Sequence, residues 1–154
     1  MTHLSEHFSL AEFCVSDTAK QHGIANTPTP KHLENLKLTA AGFEKIRAAL
    51  GGEAIKITSG YRNPAVNAKV GGTKTSAHPM GFAGDFRHKS LTPLECARRI
   101  RDSDLEFDQC ILETGRGVVH VSFDPRKGKG GPRRQVGEQK GGPGTPIKWK
   151  LPGD

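Results

Sequence analysis

Two runs of alternating residues, Phe107–Glu113 and Val118–Phe123, are separated by only four residues, Thr114-Gly-Arg-Gly117. A connection that short joins only antiparallel neighbours, because parallel strands need a crossover of a dozen residues or more. With a four-residue loop Glu113 pairs with Val118 and Ile111 with His120, so Glu113 and His120 share a face. Val119, Val121 and Phe123 then point the other way, toward a core.

The segments around this hairpin supply helices. Ser9 followed by Glu12 is a capping box that opens a short helix. Thr29 as N-cap and Pro30 at the first position open a longer one, in which Leu33, Leu36, Ala40, Phe43, Ile46 and Leu50 recur at helical spacing before Gly51-Gly52 stops it. Ala54–Thr58 is β-branched and alternating, and Asn63-Pro64 begins a short helix that ends at Gly71-Gly72. Phe82–Arg87 alternates again, and a second capping box, Thr92 to Glu95, opens a helix ending near Ser103. Helices and strands do not follow a regular βαβ order, so the expected fold is α+β, an antiparallel sheet with helices packed on one side.

The chain has 154 residues, enough for one domain, which we place at 1–124. Residues 125–154 are rich in Gly, Pro, Lys and Arg and are expected to be a flexible tail, held near its end by Ile147 and Trp149. Eight basic residues (126, 127, 129, 133, 134, 140, 148 and 150) and two acidic ones, Glu138 and Asp154, follow Pro125, so six of the seven net positive charges lie in the tail. A near-neutral body argues against a nucleic-acid partner, and the tail suits anionic envelope polymers instead. No stretch is apolar enough to span a bilayer. Met1-Thr-His-Leu-Ser-Glu-His7 carries no secretory signal, so action outside the cytoplasm requires another route. The three cysteines, Cys14, Cys96 and Cys110, are expected to be reduced and mostly buried.

The residues able to carry chemistry are few. In Ser76-Ala-His78-Pro-Met-Gly81-Phe-Ala-Gly-Asp85, a glycine turn lets an imidazole and a carboxylate converge on one ion. His120 is either a third ligand or a hydrogen-bonded histidine on a half-buried strand. Arg62, in Thr58-Ser-Gly-Tyr-Arg62-Asn-Pro, is placed either to meet a carboxylate or a developing oxyanion, or as a surface arginine on a loop. His3, His7, His22, His32 and His88 read as ordinary surface or supporting residues, the first two near a mobile terminus.

These motifs together with Val70-Gly-Gly72, Phe107-Asp-Gln109 and Val119-His120-Val-Ser-Phe123 resemble the M15 family of zinc peptidases, from His7-Phe-Ser-Leu-Ala-Glu-Phe13 to about Phe123. The resemblance implies one zinc ion held by His78, Asp85 and His120. It implies that Arg62 polarises the scissile carbonyl or stabilises the oxyanion, and that Ser76 lies near the substrate. The implied substrate is a peptidoglycan stem peptide, cut between D-alanines or at an L-alanyl-D-glutamate bond. A short chain with a basic tail looks like a monomeric phage endolysin or virion-associated lysin, made in the host cytoplasm and acting on the wall after lysis or injection. Two departures stand out. The family commonly has Trp close to the Val-His pair, and several members carry a catalytic Glu three residues before the final His, where this chain has Gly117. Hairpin register nominates Glu113 as the general base. A three-residue loop would turn Glu113 away and favour Asp124 or Asp108. A peptidoglycan-binding phage structural module without turnover is the alternative that Gly117 favours.

Overall fold

A computed structural model describes residues 2–73, 75–128 and 130–154; Lys129, one of the tail cations, lies outside the described residues. Helix α1 (Leu10–Cys14) opens on the Ser9/Glu12 capping box. Helix α2 (Asp17–Gln21), capped by Ser16, was not among the expected elements. Helix α3 (Pro30–Ala49) starts where Thr29 Oγ1 accepts from the His32 amide. Strand β1 (Ile55–Ser59), helix α4 (Pro64–Lys69), a 3-10 turn at His78–Met80 and strand β2 (Ala83–His88) follow. Helix α5 (Pro93–Asp102) has its own capping box at Thr92/Glu95 and precedes β3 (Gln109–Glu113) and β4 (Val118–Ser122).

The hairpin register is the one required by a four-residue loop: Glu113 opposite Val118 and Ile111 opposite His120. Strand β2 pairs with the other edge of β4, placing Asp85 opposite His120. Alternation then sorts side chains by face. Phe86, Val119, Val121, Cys110 and Leu112 join Leu36, Phe43, Ile46, Ala97 and Ile100 of α3 and α5 in one core. Ala83, Asp85, His120, Ser122, Gln109, Ile111 and Glu113 occupy the opposite face. Within the core, Phe43 is the hub of an edge-to-face array, with ring centroids 6.1 Å from Phe8, 5.6 Å from Phe13, 5.7 Å from Phe86 and 5.8 Å from Phe123.

The fold is α+β with a mostly antiparallel sheet, as expected. One expectation needs correction: the C-terminal segment is not a flexible tail. Residues Gln135–Gln139 form β5, which pairs in parallel with β3 and gives the order β1-β2-β4-β3-β5. This strand carries one apolar residue, Val136, so no hydrophobic alternation betrays it. Backbone pairing and charge hold it instead. Arg133 Nη2 donates to Asp108 Oδ2 at 2.8 Å, with a second bond from its Nε to Oδ1. Arg134 stacks on Phe107 at 4.7 Å and donates to the Ser103 carbonyl at the end of α5 at 2.9 Å. Farther on, Arg98 of α5 donates to Pro152 O, Arg101 pairs with Asp154, and Leu151, rather than Ile147 or Trp149, is the fully buried anchor.

The N-terminus is also tied down, contrary to the expectation for His7. The Glu44 carboxylate of α3 accepts from Ser5 Oγ and from the His7 amide, both at 2.6 Å, while His7 Nδ1 lies 2.7 Å from it. Burial works against ionisation of Glu44, yet these hydrogen bonds outweigh it and lower its pKa.

Candidate metal centre and its cleft

Three side chains from separate elements meet on the face opposite the core. His78 comes from the 3-10 turn, Asp85 from β2 and His120 from β4, and their ligating atoms lie within 4.8 Å of one another. His78 Nε2 is 3.2 Å from Asp85 Oδ1 and 3.2 Å from His120 Nδ1, and His120 Nδ1 is 2.9 Å from Asp85 Oδ1. A tetrahedral ion with ligand distances of about 2.0–2.1 Å needs donor-to-donor edges of about 3.3 Å. The triangle is close to that.

Proton positions point the same way. His78 Nδ1 lies 2.6 Å from the Gly60 carbonyl, which can only accept, so Nδ1 carries the proton and Nε2 presents a lone pair to the triangle. Burial is the main cause that pushes the His78 pKa down to about 4, which keeps the ring neutral and able to ligate at neutral pH. Asp85 is fully buried. Its Oδ2 has no hydrogen-bond partner. Three lone-pair donors converging in a buried site leave a deficit of positive charge that a divalent cation fits.

The turn that presents His78 is held by α3. Asn35 Nδ2 donates to Met80 O at 2.8 Å and Thr39 Oγ1 donates to Gly81 O at 2.7 Å. Gly81 has φ +80°, and a Cβ there would lie 2.8 Å from the His32 carbonyl, so glycine is required between the ligand turn and β2. Neither Asn35 nor Thr39 was singled out from sequence. A polar pair four residues apart on an otherwise apolar helix face was the available signal.

The triad opens into a cleft of about 370 Å³ that Arg62, Ser76, Glu113 and Arg116 also line. Arg62 is not a surface loop residue: it is 7% exposed, and its Nε has no hydrogen-bond partner. Burial lowers its pKa, an effect that Asp85 opposes. Ser76 Oγ accepts from the His78 amide at 3.3 Å. Glu113 is 8% exposed with Oε2 unpartnered, and burial first, then the Asp85 charge, raises its pKa. Arg116, three residues on in the hairpin loop, places Nη1 3.4 Å from Glu113 Oε1 and 3.7 Å from Asp85 Oδ2. It went unnoticed in the sequence, where it reads as a turn residue between two glycines.

The other carboxylates of the cleft are engaged. Asp108 is held by Arg133, and Asp124 chelates Arg126 through both oxygens. The remaining histidines stay outside the triad: His88 Nδ1 accepts from the amides of Ser90 and Leu91, and His32 meets the Tyr61 hydroxyl. The cysteines are free thiols, with Cys96 and Cys110 buried and Cys14 half-buried. No helix among the described residues is long and apolar enough to cross a membrane.

Residues 6–122 match the sequence model of a family described as Peptidase M15. No curated protein matches the chain.

Proposed function

We propose, from the premise that the chain belongs to the Peptidase M15 family, that it is a zinc peptidase hydrolysing an amide bond in peptidoglycan stem peptides. The observation that carries this reading is the meeting, on one sheet face, of the His78/Asp85/His120 triangle with a buried guanidinium whose Nε has no partner and a buried carboxylate whose Oε2 has none. Bound by the triangle, zinc would supply Lewis acidity that activates water and polarises a carbonyl.

The protein's own groups do the rest. Glu113, with a raised pKa and a free Oε2, takes a proton from the attacking water and passes it to the departing amine. Arg62 donates to the oxyanion that forms on the scissile carbonyl. Arg116 holds Glu113 by Oε1 and leaves Oε2 without a partner. Ser76 orients His78 through its amide and presents its hydroxyl to the substrate.

Cleavage of cell-wall peptides by a monomer of phage-lysin type belongs to the same proposal. A second reading, a wall-binding module without turnover, is favoured by Gly117 at the position three before His120. Glu113 reaches the same face from the neighbouring strand, and for that reason we prefer hydrolysis. Zymography on purified peptidoglycan, with and without chelator, separates the readings. Clearing that disappears with chelator and returns with zinc supports the enzyme; binding without clearing under all conditions supports the module.

A further inference from the structure

We propose that residues 133–149, which lie beyond the family match, form the cleft wall that reads the substrate, with Ile147 contacting an uncharged apolar side chain about three residues from the cut bond. The proposal rests on the peptidase reading above. The match ends at residue 122, yet Gln139, Pro143, Gly144 and Ile147 line the same cleft as His78, Asp85 and His120.

Strand register fixes where this wall stands. Asp85, His120, Ile111 and Gly137 form one row across β2, β4, β3 and β5. Gly137 therefore extends the metal row by two strands beyond His120, roughly 10 Å. Above it the returning chain comes down so closely that a Cβ on Gly137 would lie 3.0 Å from Ile147 Cγ2 and 2.9 Å from Trp149 Cε3. An extended peptide covers the distance from the metal row to Ile147 in about three residues at ~3.3–3.6 Å each. The side chain that meets Ile147 is thus remote from the reacting carbonyl. Pro143, Gly144 and Ile147 offer no charge, so the matching group is an uncharged, apolar side chain.

The wall is built to hold its shape. Gln139 Nε2 donates to Thr145 O at 2.8 Å and Thr145 Oγ1 to Gly142 O at 2.7 Å, which stiffens the loop between β5 and Ile147. Its flanks are fastened by Arg133 to Asp108, by Arg134 to the end of α5, and by an antiparallel bridge between Glu138 and Lys148. A segment serving only as a solvated electrostatic anchor would need none of these contacts.

The test uses the zinc-loaded full chain with Ile147→Trp, Ile147→Ala and Gln139→Ala, and two synthetic stem-type peptides. One spans the cut bond and the remote residue, and the other is truncated before that residue. Ile147→Trp should lower kcat/KM for the long peptide roughly tenfold or more, mainly through KM, and leave the truncated peptide unaffected; Ile147→Ala should weaken discrimination between remote side chains of different size. Gln139→Ala should produce the same KM effect more weakly. Unchanged ratios between the two peptides in all three variants overturn the proposal, as does an equal loss on both, which would mark the segment as structural support. A wild type that cuts neither peptide overturns the peptidase reading and the wall's role with it; wild-type cleavage with indifferent variants overturns the wall alone.

Discussion

The two faces of the central sheet are built from alternate residues of the same strands, and they are governed by opposite rules. Behind β2, β4 and β3, Phe86, Val119, Val121, Cys110 and Leu112 are buried against α3 and α5, where every contact adds to stability. In front, Asp85, Glu113 and Arg62 are almost as deeply buried, yet each has a polar atom without a partner. Burying such groups costs stability unless a ligand completes them. One step along a strand therefore changes what a substitution should do: rear-face changes should unfold the protein, and front-face changes should disable it while leaving it as stable or more so.

Replacing a metal ligand probes the largest difference. His78→Ala, Asp85→Ala or His120→Ala should take zinc content from about one per chain to near none and abolish hydrolysis. His88→Ala, by contrast, should keep the metal. Full occupancy by elemental analysis in His120→Ala would remove that residue from the site.

Glu113→Gln comes next. It should bind zinc normally and lose about 10²–10⁴-fold in kcat. The same variant sharpens the comparison through pH. The folded protein raises the Glu113 pKa above its unfolded value, so the wild type binds more protons folded than unfolded across that interval and loses stability as pH rises through it. Metal-free Glu113→Gln should therefore be the more stable protein at neutral pH, with the gap closing as pH falls below the ordinary glutamate range. Urea titrations showing the reverse trend would mean the carboxylate is well paired, and a near-normal turnover would mean another group takes the proton.

On the rear face, Phe86→Ala should cost about 3–5 kcal/mol of unfolding free energy, because its ring fills space against Phe43 that the surroundings cannot close. A loss below about 1 kcal/mol in denaturant unfolding would show that the two faces are not as different as their packing implies. The smallest effect is expected from the C-terminal lysines. With Arg126, Arg133 and Arg134 engaged internally, Lys127, Lys140, Lys148 and Lys150 are the exposed cations left among the described residues after Pro125. Changing the last three to Ala should weaken binding to anionic wall polymers a few-fold at low salt and hardly at physiological salt. Wall binding insensitive to salt would exclude this contribution.

The contrast between the faces also explains what the sequence made legible. Capping boxes at Ser9/Glu12 and Thr92/Glu95 located helices because a cap is a local arrangement of a few residues. The four-residue loop set the β3–β4 register, and through it the placement of Glu113 beside His120. Strand β5 stayed hidden because Gln135-Val-Gly-Glu-Gln139 has no apolar period, and its parallel partner lies over twenty residues earlier, beyond any local signal. Arg116 and Arg133 were missed for a related reason: their roles depend on carboxylates that only the folded sheet brings within reach.

The edge-to-face packing around Phe43 bears on motion as well as stability. A phenylalanine ring wedged among Phe8, Phe13, Phe86 and Phe123 cannot turn over about its own axis until those neighbours draw apart. The frequency of that turnover, visible as exchange between the two sides of the ring in magnetic resonance, therefore times the breathing of the core directly behind Asp85. A slow Phe43 would mean that the ligand triangle rests on a floor that is still on the timescale of a catalytic cycle.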